Sequence, residues 1–226
     1  MNEPIKREVI ELLRRREFDA LVARCDTDTT VWREVRHRFY DLDERIRWSA
    51  IETAARLMKK WWDAGKEERV RIYVRTLFWT LNDESGGIGW SSAQAIAEII
   101  ALIPSLIEPY GRMMIAHCID EPPLLKGCFW GIGRVGALMR DAADAFAIEI
   151  VESLRGAEVD VLGTAAWAMG ETQFAPGIPF LTSLFERDET VAIYVGGILY
   201  EKPLRIWAEE AIQKIRHSTS MPLSSA

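Results

Sequence analysis

A stretch of twelve residues recurs five times in this chain, about 40 residues apart, and this repetition constrains the fold more than any other feature. The copies occupy residues 46–57, 88–99, 124–135, 161–172 and 204–215. Repetition at this spacing indicates an array of similar units that bury their apolar surfaces against one another.

Four positions of the repeat are small or apolar in every copy. Counted from zero, they are positions 4, 7, 8 and 11, which lie on one face of an α-helix. Position 4 holds Ala50, Ser92, Cys128, Ala165 and Ala208, and position 8 holds Ala54, Ile96, Ile132, Met169 and Ile212. Small side chains let a neighbouring helix approach closely, so we expect the five helices to pack side by side.

Longer amphipathic stretches alternate with the repeat helices. They cover residues 30–40, 66–81, 103–118, 141–154 and 178–185. Acidic turns precede the repeat helices, as at Asp41 and Asp43, and an aspartate there can accept hydrogen bonds from the first N–H groups of the helix. The repeating unit is therefore helix, acidic turn, helix.

The ends of the array have their own predicted structures. Residues 1–25 are expected to form one or two capping helices, and 217–226 a disordered tail. Two β-prone runs around Gly196-Gly197 predict a small hairpin at 190–202. We expect one domain at 1–216, with its repeats in 28–216.

The composition suits a globular helical protein and narrows its partners. Hydrophobic residues make up 49% of the chain, and the net charge is -6. An acidic chain is poorly suited to a nucleic-acid backbone, which binds through lysine and arginine. No stretch is long and apolar enough to predict a membrane span, and the first residues lack an apolar signal core. We expect a cytoplasmic monomer.

The best copy of the repeat resembles a known family. Residues 43–54 begin Asp-x-x-Ile-Arg-x-x-Ala and resemble the HEAT repeat of the phycobilisome-lyase-like type. The resemblance extends over about residues 28–216. The third and fourth copies depart from it, with Lys126 and Gly163 in place of tryptophan.

The resemblance implies an all-α superhelix, a solenoid of about five helix pairs whose second helices line a concave face. The chain would then be a non-catalytic scaffold that binds a protein or peptide in this groove. The expected groove residues are Trp48, Trp90, Glu98, Trp130, Arg134, Trp167 and Glu171.

The tryptophans and charges of the repeat helices each allow two interpretations. The chain has nine tryptophans, which could bind a partner or fill gaps between helices with their N–H groups bonded locally. Position 10 alternates in sign, which suits either a polar groove floor or a salt-bridge seam between repeats. Its residues are Arg56, Glu98, Arg134, Glu171 and Lys214.

The loop at 82–90 is the other candidate site. Asp83 and Glu84 lie beside three glycines, and the segment could serve as an ordinary capped loop or as a sensor of a metal or small molecule. The carboxylate spacing does not match a calcium loop. We expect no cofactor.

Sequence motifs for chemistry are weak. Residues 131–136 read Gly-x-Gly-x-x-Gly but lie inside a repeat helix, where the glycines are expected to permit close helix packing. The histidines are unclustered, and Cys25, Cys118 and Cys128 are expected in the core. The enzyme alternative is a chromophore-lyase-like or DNA-glycosylase-like activity on a HEAT-like scaffold.

Overall fold

The computed structural model describes residues 3–82 and 89–219. The chain forms two compact units, Met1–Ser105 and Leu106–Ala226. The regular elements in the described part of unit 1 are all helices. Its helices are α1 (Glu3–Arg14), α2 (Phe18–Thr27), α3 (Thr29–His37), α4 (Glu44–Asp63), α5 (Glu67–Leu81) and α6 (Ser92–Leu102), with a 3-10 turn at Arg38–Tyr40 after α3.

Unit 2 combines helices with one hairpin. The helices are α7 (Ile107–Cys118), α8 (Leu125–Val135), α9 (Arg140–Asp144), α10 (Ala147–Glu152), α11 (Val159–Thr172), α12 (Ile178–Ser183) and α13 (Leu204–Thr219). The strands β1 (Thr190–Val195) and β2 (Ile198–Pro203) lie between α12 and α13. Within the described residues, no helix is both long and apolar enough to cross a membrane.

The five repeats correspond to five helices, as predicted: α4, α6, α8, α11 and α13. All residues at positions 4, 7, 8 and 11 are buried, including Ala50, Ala95, Ile132, Ala168 and Ile212. In unit 1, α4 packs on α6, and in unit 2, α11 packs on both α8 and α13. The prediction of a buried, small-residue face is confirmed.

Glycines bring the repeat helices of unit 2 into close contact. A Cβ on Gly133 of α8 would lie 2.5 Å from Cζ3 of Trp167 in α11. A Cβ on Gly170 of α11 would lie 2.8 Å from Cα of Ala211 in α13. The close contact at Gly133 confirms the packing interpretation for that residue, and a dinucleotide site would need a strand before a phosphate-binding turn. Gly136, the last glycine of the motif, lies past the end of α8 with φ +67°, so the prediction that it lies inside the helix was wrong.

The hairpin is confirmed close to its predicted bounds. β1 and β2 are antiparallel, with Val195 paired to Ile198 across Gly196 and Gly197. Both glycines have positive φ, +59° and +98°, as a tight two-residue hairpin turn requires. Two buried indoles hold β1 to the helices: Trp130 Nε1 donates to Tyr194 O at 2.7 Å, and Trp207 Nε1 donates to Val191 O at 3.2 Å.

The predictions for residues 141–154 and for the start of the tail differ from the structure. The stretch 141–154 forms α9 and α10 rather than one helix, because Phe146 leaves the helical region (φ −118°, ψ 27°). Helix α13 continues to Thr219, past the predicted start of the tail at 217. Residues 1–25 contain α1 and most of α2, as expected for the first segment.

Asp26 ties α2 to α4 in unit 1. It accepts a hydrogen bond from Trp61 Nε1 at 2.7 Å and forms an ion pair with Lys60 Nζ at 2.8 Å. The hydrogen bonds from Lys60 and Trp61 hold the pKa of the Asp26 carboxyl below its ordinary value. The ionised carboxylate therefore stabilises the fold, because the unfolded chain binds this proton more readily.

We expect Asp26→Asn to lower the free energy of unfolding by about 1 kcal/mol at pH 7, from loss of the charged hydrogen bonds. A lowered folded pKa means that this stabilisation is complete above the ordinary aspartate pKa and is lost as pH falls through the folded pKa. In urea unfolding experiments from pH 7 down to pH 3, the difference in free energy of unfolding between the wild type and Asp26→Asn should therefore become smaller. Asp63→Asn, which removes the exposed pair with Lys59, is the control and should change stability by less than about 0.5 kcal/mol. Equal stability of the wild type and Asp26→Asn at pH 7 would contradict the assignment.

Candidate protein-binding surface

Four large, exposed side chains lie at two inter-helix turns of unit 1. Tyr40 and Leu42 lie between α3 and α4, and their side chains are 56% and 96% exposed. Trp79 near the end of α5 is 80% exposed, and Trp90 just before α6 is 68% exposed. We call these four residues the aromatic edge.

Hydrogen bonds join the two turns into one region. Ser91 Oγ donates to Phe39 O at 2.7 Å, which brings the residue after Trp90 beside the residue before Tyr40. Gly89 N donates to Thr80 O at 2.9 Å, next to Trp79. The hydroxyls of Thr80 and Ser92 are 2.7 Å apart, which joins the end of α5 to the start of α6.

Gly89 lies in close contact with residues of α5 and α6. It is buried, and a Cβ there would lie 2.4 Å from Ser92 Oγ and 2.7 Å from Thr80 Oγ1. The close approach holds the segment that carries Trp90 against the end of α5. Trp79 and Trp90 are therefore the sequence neighbours of the two residues that form this contact, Thr80 and Gly89.

The turn that carries Leu42 is held by its two aspartates. Asp41 accepts a hydrogen bond from Asp43 N at 3.0 Å and pairs with Arg38 at 3.0 Å. Asp43 caps α4 by accepting from Arg45 N at 3.0 Å, as the acidic-turn pattern predicted. Because the carboxylates on both sides of Leu42 accept hydrogen bonds from backbone N–H groups, the turn is ordered and Leu42 projects from it into solvent.

Of the predicted groove tryptophans, only Trp90 is exposed. Trp48 in α4, Trp130 in α8 and Trp167 in α11 are buried. Trp130 lies beneath the hairpin, and the Trp167 ring fills the space over Gly133. These rings therefore have the packing role that the sequence left open, and they are not part of the exposed surface.

The predicted groove charges lie on the same repeat helices. Glu98 in α6 is buried, whereas Arg134 and Glu171 are half-buried. Glu171 forms an ion pair with Lys214 Nζ at 2.5 Å, one rung of the predicted seam between α11 and α13. Arg56 instead lies over the Phe18 ring, 4.5 Å from its centroid.

A shallow cleft of about 430 Å³ opens beside Phe18 in unit 1. Its lining is Arg16, Glu17, Phe18, Asp19, Ala20 and Arg56. The Arg16 guanidinium lies 4.8 Å from the Phe18 centroid and donates to the buried Glu52 carboxylate at 3.0 and 3.1 Å. The cleft is thus lined by charges of both signs, which does not select a ligand of one charge.

The residues considered for metal or nucleophilic chemistry do not form a site within the described ranges. Asp83 and Glu84 lie outside them. The described His, Cys, Asp and Glu side chains form no group of three that could hold a metal ion. Burial raises the pKa of the Cys25 thiol to about 12, and a hydrogen bond with Cys118, together with burial, raises that of Cys128. These thiols stay protonated at neutral pH and are poor nucleophiles.

Sequence reasoning missed Tyr40, Leu42 and Trp79. Helix periodicity could have identified Trp79, because Val70, Val74, Leu77 and Leu81 define the buried face of α5 and Trp79 falls on the opposite side. For Leu42, the signal is a lone apolar residue between two aspartates of an acidic turn before a helix.

Comparisons with known proteins do not provide a function. No family model and no solved structure matches the chain. An uncharacterized protein of Archaeoglobus fulgidus is 31% identical over 128 residues, which cover 57% of this chain and 63% of the archaeal protein. The match therefore extends over less than two thirds of the relative's length.

Proposed function

We propose that this chain is a non-catalytic, protein-binding scaffold of the HEAT-like solenoid type, which holds its partner at the aromatic edge. The observation that carries the proposal is the grouping of Tyr40, Leu42, Trp79 and Trp90, all more than half exposed, at two hydrogen-bonded turns. An exposed apolar patch of this kind on a folded surface is typical of an interaction site.

The chemistry of the four side chains supports binding of a protein. Tryptophan and tyrosine are the residues most enriched among those that dominate binding energy at interfaces. Each offers a large apolar area with few rotatable bonds, so little conformational entropy is lost on binding. The ordered turns beneath Leu42 and Trp90 reduce that cost further.

The repeats support the solenoid part of the proposal. Successive repeat helices pack together within each unit through small residues, as in stacked helix pairs. A stack of this kind presents the turns between its helices along one edge. In unit 1, the turn from α3 to α4 and the turn from α5 to α6 carry the aromatic edge.

The proposal predicts that a photo-crosslinking phenylalanine analogue at position 79 or 90 will capture the same protein in the native host. The same substitution at Ile148, an exposed residue of α10 in unit 2, is the matched control and should not capture it. With the purified partner, Trp79→Ala and Trp90→Ala should each weaken binding by about tenfold or more. Crosslinks equal to the Ile148 control, or an unchanged Kd in both variants, would contradict the proposal.

A further inference from the structure

Helices α3 and α5 of unit 1 each present a row of exposed residues. On α3 and its following turn, the row is Arg33, Arg36 and Tyr40, and on α5 it is Arg69, Ile72 and Trp79. Residues three or four positions apart share a helix face. The Trp32 and Tyr73 rings, 5.2 Å apart, connect the two helices. We call these six residues the basic face.

The three arginines of the basic face differ from their neighbours in how they are paired. On the same helices, Arg38 pairs with Glu34 at 3.0 Å, Arg71 with Glu67 at 3.1 Å and Arg75 with Glu68 at 2.6 Å. Among the residues that the structure describes, no carboxylate lies within 4.0 Å of the guanidinium of Arg33, Arg36 or Arg69.

Two of these guanidiniums make cation–π contacts with aromatic rings. Arg36 Cζ lies 5.5 Å from the centroid of Trp32, and Arg69 Cζ lies 3.5 Å from that of Trp61. The two tryptophan rings are 6.5 Å apart, edge to face. Stacking on a ring orients a guanidinium and leaves its N–H groups free to donate at the edge.

We propose that the basic face binds an acidic, apolar peptide segment of the partner. Carboxylates of the segment accept hydrogen bonds from Arg33, Arg36 and Arg69, and its apolar side chains contact Tyr40, Ile72 and Trp79. Charge complementarity selects this occupant, because none of the three guanidiniums has a described carboxylate within 4.0 Å. The inference rests on the proposed function and shares Tyr40 and Trp79 with the aromatic edge.

The charge balance favours a short acidic segment over a long polyanion. Residues 1–105 contain equal numbers of basic and acidic residues, so the positive charge of the basic face is local. A nucleic-acid strand draws its affinity from many neutralised phosphates along its length. Ile72, which is 54% exposed between Arg69 and Trp79, suits an apolar side chain of a peptide better than a phosphate.

A selection from a displayed random-peptide library against the full chain tests the proposal. We expect the enriched peptides to combine Asp or Glu with Leu, Phe or Trp. Binding of the best synthetic peptide, measured by fluorescence anisotropy, should weaken about tenfold in R36E/R69E and progressively with added salt. The matched control K6E/R14E makes the same charge change at two other basic residues of unit 1 that form no ion pair with a described carboxylate, and it should leave the Kd within about twofold. Unchanged helical circular dichroism in each variant establishes that it is folded.

Several results would overturn the inference. Enrichment of neutral or basic peptides, no enrichment at all, or a Kd indifferent to R36E/R69E would each do so. Arg36- and Arg69-dependent binding of a single-stranded RNA oligonucleotide would identify a polyanion surface instead. Salt-sensitive self-association in sedimentation that R36E/R69E abolishes would identify a second copy of the chain as the occupant.

The inference and the proposed function fail separately. Partner binding that depends on Trp79 and Trp90 but not on Arg36 and Arg69 rejects the acidic segment and leaves the scaffold function standing. Absence of position-79 and position-90 crosslinks above the Ile148 control rejects the scaffold function itself.

Discussion

Replacing Trp130 by alanine is expected to lower the free energy of unfolding by about 4 kcal/mol, the range for deleting a large buried aromatic side chain. Trp130 is 4% exposed in α8, and its indole donates to Tyr194 O in β1. The deletion removes both the ring that supports the hairpin and the hydrogen bond that holds it. Urea unfolding followed by far-ultraviolet circular dichroism measures the change without relying on tryptophan fluorescence.

Two further variants separate the contribution of the Trp130 hydrogen bond from that of burying its ring. Trp130→Phe keeps most of the ring and removes the hydrogen bond, so we expect a loss of about 1–2 kcal/mol. Trp90→Ala deletes the same side chain from an exposed position and should change stability by less than about 0.5 kcal/mol. A Trp130→Ala variant as stable as Trp90→Ala would mean that the indole is not part of the core and would restore it as a candidate groove residue.

Gly133→Ala and Gly170→Ala are each expected to destabilise the protein by about 2 kcal/mol. Alanine is the better helix former by about 1 kcal/mol, so propensity alone predicts stabilisation. The opposite sign is expected because the added methyl group would lie 3.0 Å from Ala168 Cα in one case and 2.8 Å from Ala211 Cα in the other. Backbone atoms cannot move aside as a flexible side chain can, so overpacking dominates.

Gly111→Ala is the matched control for these glycines. Gly111 is also a buried helical glycine, in α7, but its added methyl group would meet the sulfur of Met139 at 3.0 Å. Methionine is flexible and can repack, so we expect a neutral or slightly stabilising effect in the same urea experiment. Stabilisation by all three substitutions would show that the repeat helices are not in close contact at Gly133 and Gly170.

These stability variants and the binding variants address different parts of the molecule. Trp130, Gly133 and Gly170 hold unit 2 together, whereas Trp79, Trp90 and Arg36 lie at the surface of unit 1. A variant of the first group that lost binding would do so through loss of structure. A variant of the second group should lose binding while its unfolding curve stays unchanged. Substitutions in unit 1 therefore test the proposed binding function directly.

Much of the helical framework followed from local sequence. The 3.6-residue period identified the five repeat helices and their buried positions 4, 7, 8 and 11, because a helix face must be apolar where it contacts a neighbour. The β-prone runs around Gly196-Gly197 identified the hairpin. A tight hairpin turn needs two successive residues of positive φ, and glycine adopts positive φ more readily than any other residue. These signals are local, and no knowledge of distant contacts was needed to recognise them.

The accessibility of the other helix faces was decided only by tertiary structure. Trp130 and Trp90 both belong to repeat segments, yet the hairpin, 60 or more residues further along the chain, covers Trp130, while Trp90 stays exposed beside Trp79. Side-chain placement, not composition, likewise decides which arginines form ion pairs. Arg71 and Arg75 each pair with a glutamate. Arg36 and Arg69 have no described carboxylate partner. A helical period determines which residues share a face. What covers that face depends on segments remote in sequence, and so do the surfaces left to bind a partner.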